Sequence, residues 1–344
     1  MSSVTNAPVL IIHTGGTIGM KNTESGYKPA PGFLSEALKA IPDLFREDFP
    51  SWEFYEMSPL LDSSNMSVAE WNNIAGLIYE KYDSYSGFVV LHGTDTMAYT
   101  ASALSFMLEG LDKPVILTGS QIPLSELRSD GRDNLITSLM IAAGGVAREV
   151  CLYFGGRLLR GNRAVKVSAD GLLAFDSPSY PSLAEAGIAI KYNTDALLPK
   201  KTDEKLKLCL FKSVPIGVIK IFPGIQFGLF AEIMTEKLSG IVLETFGTGN
   251  IPMGNGELLP IIKKAFLSGA IVTVCSQCQS GTVSLGAYET SSELLRAGAV
   301  SGTDMTTEAA VAKLYYLFSL GISGDEIKRL MEKNLVGELT DTKG

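Results

Sequence analysis

Val9-Leu10-Ile11-Ile12-His13-Thr14-Gly15-Gly16-Thr17-Ile18-Gly19 begins as an unbroken apolar run and ends in hydroxyl and glycine residues. A second stretch, Phe88-Val89-Val90-Leu91-His92-Gly93-Thr94-Asp95-Thr96, is built the same way. Continuous runs rich in β-branched residues fit strands buried on both faces. The polar tips after them then fall at the carboxyl edge of a parallel sheet, where open α/β folds bind ligands. The pair predicts an enzyme whose reactive groups are threonines.

Working outward, the first part of the chain alternates strands with helices. After the strand at 9–13 come a helix over 72–82, a strand over 88–91, a helix over 97–108, a strand over 115–118, a helix over 134–143 and a strand over 150–154. That order predicts a mostly parallel sheet flanked by helices. A chain of 344 residues is long for one core, so two α/β domains are expected. The larger N-terminal one covers 1–190 and carries the threonines, a lysine-rich irregular linker covers 191–212, and a smaller C-terminal one covers 213–344. The last of these has strands at 216–221, 240–243 and 270–274 and a closing helix over 306–318.

The first tip is a near miss of a dinucleotide fingerprint. Gly16 and Gly19 take the last two glycine positions, but Thr14 stands where the turn-making glycine is needed, and the Gly-Lys-Ser/Thr ending of a phosphate loop is lacking. The turn offers a hydroxyl, Thr14, beside backbone N–H groups able to hold an oxyanion or carboxylate. A ligand-binding turn and a structural strand-to-loop junction both fit it. In the second tip Thr94, Asp95 and Thr96 open the predicted helix, and one of them would suffice to cap it. The surplus points to a ligand site in which Asp95 offers negative charge to an ammonium group and Thr94 a hydroxyl.

Lys plus Arg number 29 against 37 Asp plus Glu, a net charge of −8. Such a surface repels a phosphate backbone, so a small-molecule substrate is expected and no nucleic-acid partner. The first eight residues lack the basic region of a signal peptide, and the run at 9–12 is too short to span a membrane. The expectation is a cytoplasmic protein with no membrane partner. Four cysteines make no disulfide framework. Cys275-Ser276-Gln277-Cys278 has redox spacing but is followed by turn and strand character rather than a helical pattern. His13 and His92 are the only histidines and no second cysteine pair accompanies them, so no metal and no cofactor are expected. Both histidines read as hydrogen-bonded groups at strand ends, and no G-x-S-x-G elbow supports a serine triad.

Thr14-Gly15-Gly16-Thr17-Ile18 and His92-Gly93-Thr94-Asp95-Thr96-Met97 resemble the two signature segments of the bacterial-type L-asparaginase family. The likeness continues through 113–121, Arg128-Ser129-Asp130-Gly131, 160–166 and Asp304-Met305-Thr306-Thr307-Glu308, covers nearly the whole chain, and looks most like the cytoplasmic, type I branch. The resemblance implies hydrolysis of L-asparagine to aspartate and ammonia through a threonine acyl-enzyme. It assigns Thr14 as nucleophile, pairs it with Tyr27 on the loop at 25–29, and makes Thr94, Asp95 and Lys166 the second catalytic group. Without the resemblance, Lys166 reads as a solvated surface lysine and Tyr27 as an exposed loop aromatic.

Asp62-Ser63-Ser64 is the third element, with Ser63 and nearby N–H groups on the substrate α-carboxylate and Asp95 on its α-ammonium. Helix capping is the competing reading for Ser63 or Ser64, although Ser67 is the better cap. A glutaminase-asparaginase, or the amidase part of a transamidation enzyme, is the close alternative, because one methylene is worth only about 1–3 kcal/mol in a pocket. A non-catalytic amino-acid-binding protein of the same fold is the distant one.

The resemblance also implies a homodimer or homotetramer, with the active site between the first domain of one subunit and the second domain of its neighbour. One departure stands out. Type I enzymes can bind a second, activating asparagine partly through an arginine where this chain has Glu244, and a carboxylate there repels a ligand carboxylate. Activation by asparagine is therefore not expected.

Overall fold

The opening apolar run forms strand β1 (Val9–Gly15), buried at every residue. It lies between β2 (Trp52–Leu61) and β3 (Gly87–Leu91), parallel to both. The sheet continues in parallel through β4 (Val115–Thr118) and β5 (Val150–Phe154). Three antiparallel strands complete it: β6 (Arg157–Arg160), β7 (Ala184–Ala186) and β8 (Ile190–Tyr192). The spatial order is β8-β7-β6-β5-β4-β3-β1-β2. From β1 the chain crosses to β2 on one side and then returns to β3 on the other. That reversal opens a crevice at the carboxyl ends of these strands.

Helices α1 (Phe33–Lys39), α2 (Val68–Lys81), α3 (Met97–Met107) and α4 (Gly131–Gly144) connect the parallel strands. Val9, Ile11, Val89, Leu91 and Ile116 of the sheet share one apolar cluster with Leu135 and Leu139 of α4. Fully burying each such side chain contributes about 1.5–3 kcal/mol. α2 begins at Val68 rather than at 72, because Ser67 caps it, its Oγ accepting from the Ala69 N–H at 3.3 Å.

This computed structural model describes residues 7–24, 26–199, 205–253 and 256–341. It divides into two compact units, Met1–Leu208 and Cys209–Gly344. Part of the stretch expected as a linker is therefore regular structure: Lys191 and Tyr192 end β8, and Lys207–Leu208 pairs antiparallel with Leu108–Glu109. Residues 200–204 of that stretch lie outside the described ones.

The second unit has its own parallel sheet, β9 (Ile216–Lys220), β10 (Gly240–Thr245), β11 (Ile271–Ser276) and β12 (Val300–Ser301), in that order. Helices α5 (Leu258–Leu267), α6 (Glu289–Arg296), α7 (Thr307–Ser319) and α8 (Gly324–Met331) belong to it. The expected closing helix is α7, capped by Thr306, but α8 follows it.

Cys275 is the buried penultimate residue of β11 and Cys278 is exposed beyond it, both free thiols. Burial, and then the charges of Glu244 and Glu308, push the Cys275 thiol up to about 12, the opposite of a redox-active thiolate. Among the described residues no group of three His, Cys, Asp or Glu side chains is placed to hold a metal ion. No helix among them is long and apolar enough to cross a membrane.

Candidate active site

Four neighbouring strands, β2, β1, β3 and β4, deliver polar tips to one cavity of about 230 Å³ at their carboxyl ends. The β2 tip supplies Asp62 and Ser63, and the β1 tip supplies Gly16, Thr17 and Met20. Gly93, Thr94 and Asp95 come from the β3 tip and Gln121 from the β4 tip. Lys166 and Ala169 complete the wall from the far side, Lys166 on a short strand, Val165–Lys166, paired with Phe175–Asp176.

Two glycines allow the tips to meet. A Cβ on Gly16, whose φ is +83°, would collide with the Gly93 backbone, and one on Gly93 would collide with the Ser63 side chain. Only glycine tolerates both that dihedral and that proximity.

Lys166 Nζ donates to Asp95 Oδ1 at 2.6 Å and to Thr94 Oγ1 at 2.9 Å. Thr94 is 6% exposed and donates in turn to Gln121 Oε1 at 3.1 Å. The Asp95 side chain is 66% exposed, so much of its carboxylate stays open to the cavity and solvent. No side chain caps α3. Its N-cap residue, Thr96, spends its hydroxyl on the Ser63 carbonyl at 2.8 Å, tying the β3 tip to the β2 tip. That leaves Thr94 and Asp95 to the cavity. Asp62 caps the short turn Ser63–Asn65 and accepts from the Ser64 N–H at 3.0 Å and the Ser64 hydroxyl at 2.9 Å. Ser63 is buried and lines the cavity; Ser64 is exposed and does not.

The structure places the two threonines of this tip differently. Thr14 still belongs to β1, is 3% exposed, and donates its hydroxyl proton to the Leu91 carbonyl at 2.9 Å. It is absent from the cavity wall, and Thr17 stands there instead. Physically, Gly15 and Gly16, both at positive φ, turn the chain between the two threonines. The residue after the turn faces the crevice, and the one before it is knitted into the sheet.

Tyr27 is not brought to the cavity either. It sits on the exposed strand Gly26–Pro29, which pairs with Met20–Thr23. Its phenol is held above its ordinary range, by desolvation first and then by the charge of Glu126 and a hydrogen bond to it. Sequence reasoning also passed over Gln121, although it lay within a segment that resembled the family. The signal for Thr17 was the double glycine; nothing local marked Gln121.

The histidines serve the scaffold. His92 is fully buried, its Nδ1–H donating to the Gly93 carbonyl at 2.7 Å and its Nε2 accepting from Thr100 Oγ1 at 2.9 Å. Burial lowers its pKa to about 4, so the ring is neutral. His13 lies 3.4 Å from Glu56 through Nδ1, while its Nε2 has no partner among the described residues. Burial lowers its pKa, opposed by Glu56.

Two tandem family matches cover most of the chain, "Asparaginase, N-terminal" over residues 8–198 and "Glutaminase/Asparaginase C-terminal domain" over residues 215–331. L-asparaginase 1 of Escherichia coli K12 is 46% identical over 332 residues, spanning 96% of this chain and 98% of that protein. The crystal structure of L-asparaginase I from Vibrio cholerae superposes with a TM-score of 0.89 at 46% identity, over 97% of this chain and 99% of that one. The thermostable L-asparaginase from Thermococcus kodakarensis gives 0.88 at 32% identity, over 97% and 100%. With the same fold and relatives alike over their full lengths, the chain belongs to the asparaginase family.

Proposed function

We propose that this chain hydrolyses L-asparagine to L-aspartate and ammonia through an acyl-enzyme on Thr17. The observation that carries this reading is the meeting, in one small polar cavity, of a hydroxyl on a glycine turn, a carboxylate and a lysine-bonded second hydroxyl. An amide is a poor electrophile and ammonia a poor leaving group, so the site needs a nucleophile, donors for the developing oxyanion and a route for protons.

Thr17 Oγ1 adds to the side-chain carbonyl carbon, the C–N bond breaks as the nitrogen takes up a proton, and ammonia leaves. Water then attacks the ester, releasing aspartate and restoring the Thr17 hydroxyl. Asp95 holds the substrate ammonium, Ser63 and adjacent backbone N–H groups hold the α-carboxylate, and Asp62 orders that turn. Thr94 and Lys166 form the proton-handling pair. Ser64 has no contact role in this scheme, and Tyr27, outside the cavity wall, has no step in it.

The assembly expected from the sequence, a cytoplasmic homodimer or homotetramer, belongs to the same proposal. Ammonia release from asparagine and from glutamine by the purified chain tests the function. Turnover of asparagine is expected, the ratio of kcat/KM for the two amides measures how far the cavity discriminates one methylene, and absence of ammonia from asparagine refutes the reading.

A further inference from the structure

Gln121 decides which way the Thr94 hydroxyl points. Its side-chain nitrogen donates to the Ala169 and Gly171 carbonyls, each at 3.2 Å. An amide nitrogen has two protons and an amide oxygen has none, so with both protons spent it is the oxygen that faces Thr94. Thr94 Oγ1 is therefore the donor across the 3.1 Å contact. On the other side of the same oxygen, Lys166 Nζ at 2.9 Å only donates. A hydroxyl owns one proton. Here it lies toward Gln121, and a lone pair lies toward Lys166.

Gln121 is itself anchored. Its backbone N–H faces both oxygens of the Asp130 carboxylate, at 3.1 and 3.0 Å, and Asp130 Oδ1 also accepts from the Ile122 N–H at 3.0 Å. The side chain thus joins a fixed point at the β4 tip to the 169–171 segment, whose Ala169 lines the cavity.

We propose that Gln121 is a positioning residue acting through Thr94: it draws the Thr94 proton away from the cavity and keeps the oxygen lone pairs for Lys166 and the reacting groups. The coupling to Ala169 makes that orientation sensitive to what fills the cavity. This inference rests on the amidohydrolase reading above.

The test is a double-mutant cycle on asparagine turnover, with Gln121→Met, Thr94→Val and the pair, each checked for folding by thermal melting. Gln121→Met keeps side-chain length but neither accepts nor donates as the amide does. Its kcat should fall about 10- to 100-fold with KM changed less than about threefold, the size expected of a misdirected proton-transfer group. In the Thr94→Val background the same substitution should cost less than about twofold, because the hydroxyl it orients is gone. Should Gln121→Met fail to fold, Gln121→Asn, one methylene short of Thr94, replaces it in the cycle with the same expectations. Additive losses would overturn the inference, since they would mean Gln121 serves only to anchor the 169–171 segment. A folded Gln121→Met enzyme with wild-type kcat would overturn it as well. In both cases wild-type turnover leaves the functional reading standing, whereas a wild-type chain without turnover removes that reading and this inference with it.

Discussion

Exchanging the fates of Thr14 and Thr17 is the sharpest test of the site. Thr17→Ala removes only an Oγ1 and a methyl from a half-buried residue at the cavity wall. The fold should survive, with Tm close to wild type, while kcat falls about a thousandfold or more, the scale seen when an acyl-forming nucleophile is deleted. Thr14→Val does the reverse. It preserves shape but strips one donor from the Leu91 carbonyl, 2.9 Å away and buried in the sheet. That carbonyl keeps its ladder partner in β1, so the loss is that of one hydrogen bond, about 0.5–1.5 kcal/mol. For a unit of this size, each kcal/mol lowers Tm by about 2–4 °C, so the expected drop is about 1–6 °C with kcat reduced less than about tenfold. Calorimetry and ammonia release read the two effects, and intact-mass analysis during turnover should place any acyl adduct on Thr17. An adduct on Thr14, or a Thr14→Val enzyme that melts normally but is inactive, would refute the assignment.

Asp95→Asn should raise KM by at least about tenfold and also lower kcat, whereas Lys166→Met should chiefly lower kcat; steady-state kinetics on asparagine check both, and wild-type kcat/KM in either variant removes that residue from the site. His92 should stay neutral down to about pH 5, visible as an unchanging imidazole signal in 13C-histidine NMR. Because its folded pKa of about 4 lies below the unfolded 6.5, the unfolded chain binds the proton first. Stability from this group is then whole above pH 6.5 and is lost, by up to roughly 3 kcal/mol, as pH falls toward 4. Glu244 accepts from Thr307 Oγ1 at 2.6 Å and would face a ligand carboxylate with like charge, so velocity against asparagine should be hyperbolic. A sigmoidal curve for the unmodified chain would show that an activating site survives without the arginine.

The sequence is legible wherever burial on both faces dictates it. β1, β3, β4 and β5 are continuous apolar runs, and the structure places strands on them within two residues of expectation. β2 escaped because it is an edge strand. Trp52-Glu53-Phe54-Tyr55-Glu56 alternates half-buried and exposed positions, so only its apolar end at 59–61 stood out. β6, β7 and β8 are three or four residues long and carry no run to read. In the site, Asp62, Ser63, Thr94 and Asp95 were readable because each follows directly on a strand. Lys166 lies 71 residues beyond Asp95 in the chain, and only the resemblance pointed to it. Thr17 drew no attention for a definite reason: the apolar run was read as ending at His13, which made Thr14 the tip, whereas β1 continues to Gly15 and the cavity wall takes up Thr17.

The same geometry explains why Asp95 and Lys166 should not behave as equals under mutation. Lys166 Nζ is bonded to one oxygen of Asp95, while the rest of that exposed carboxylate remains for a substrate ammonium. Neutralising Asp95 therefore removes two things at once: the charge that attracts the ammonium in the ground state, and the anchor that holds Lys166 2.9 Å from Thr94. Binding and chemistry must fall together. Neutralising Lys166 leaves the Asp95 carboxylate with no local cation competing for it, so ammonium binding should hold or tighten even as proton handling through Thr94 is lost. One ion pair thus separates recognition from reaction. The direction of the KM change in Lys166→Met, flat or downward, is the part of this scheme that a purely structural ion pair would not produce.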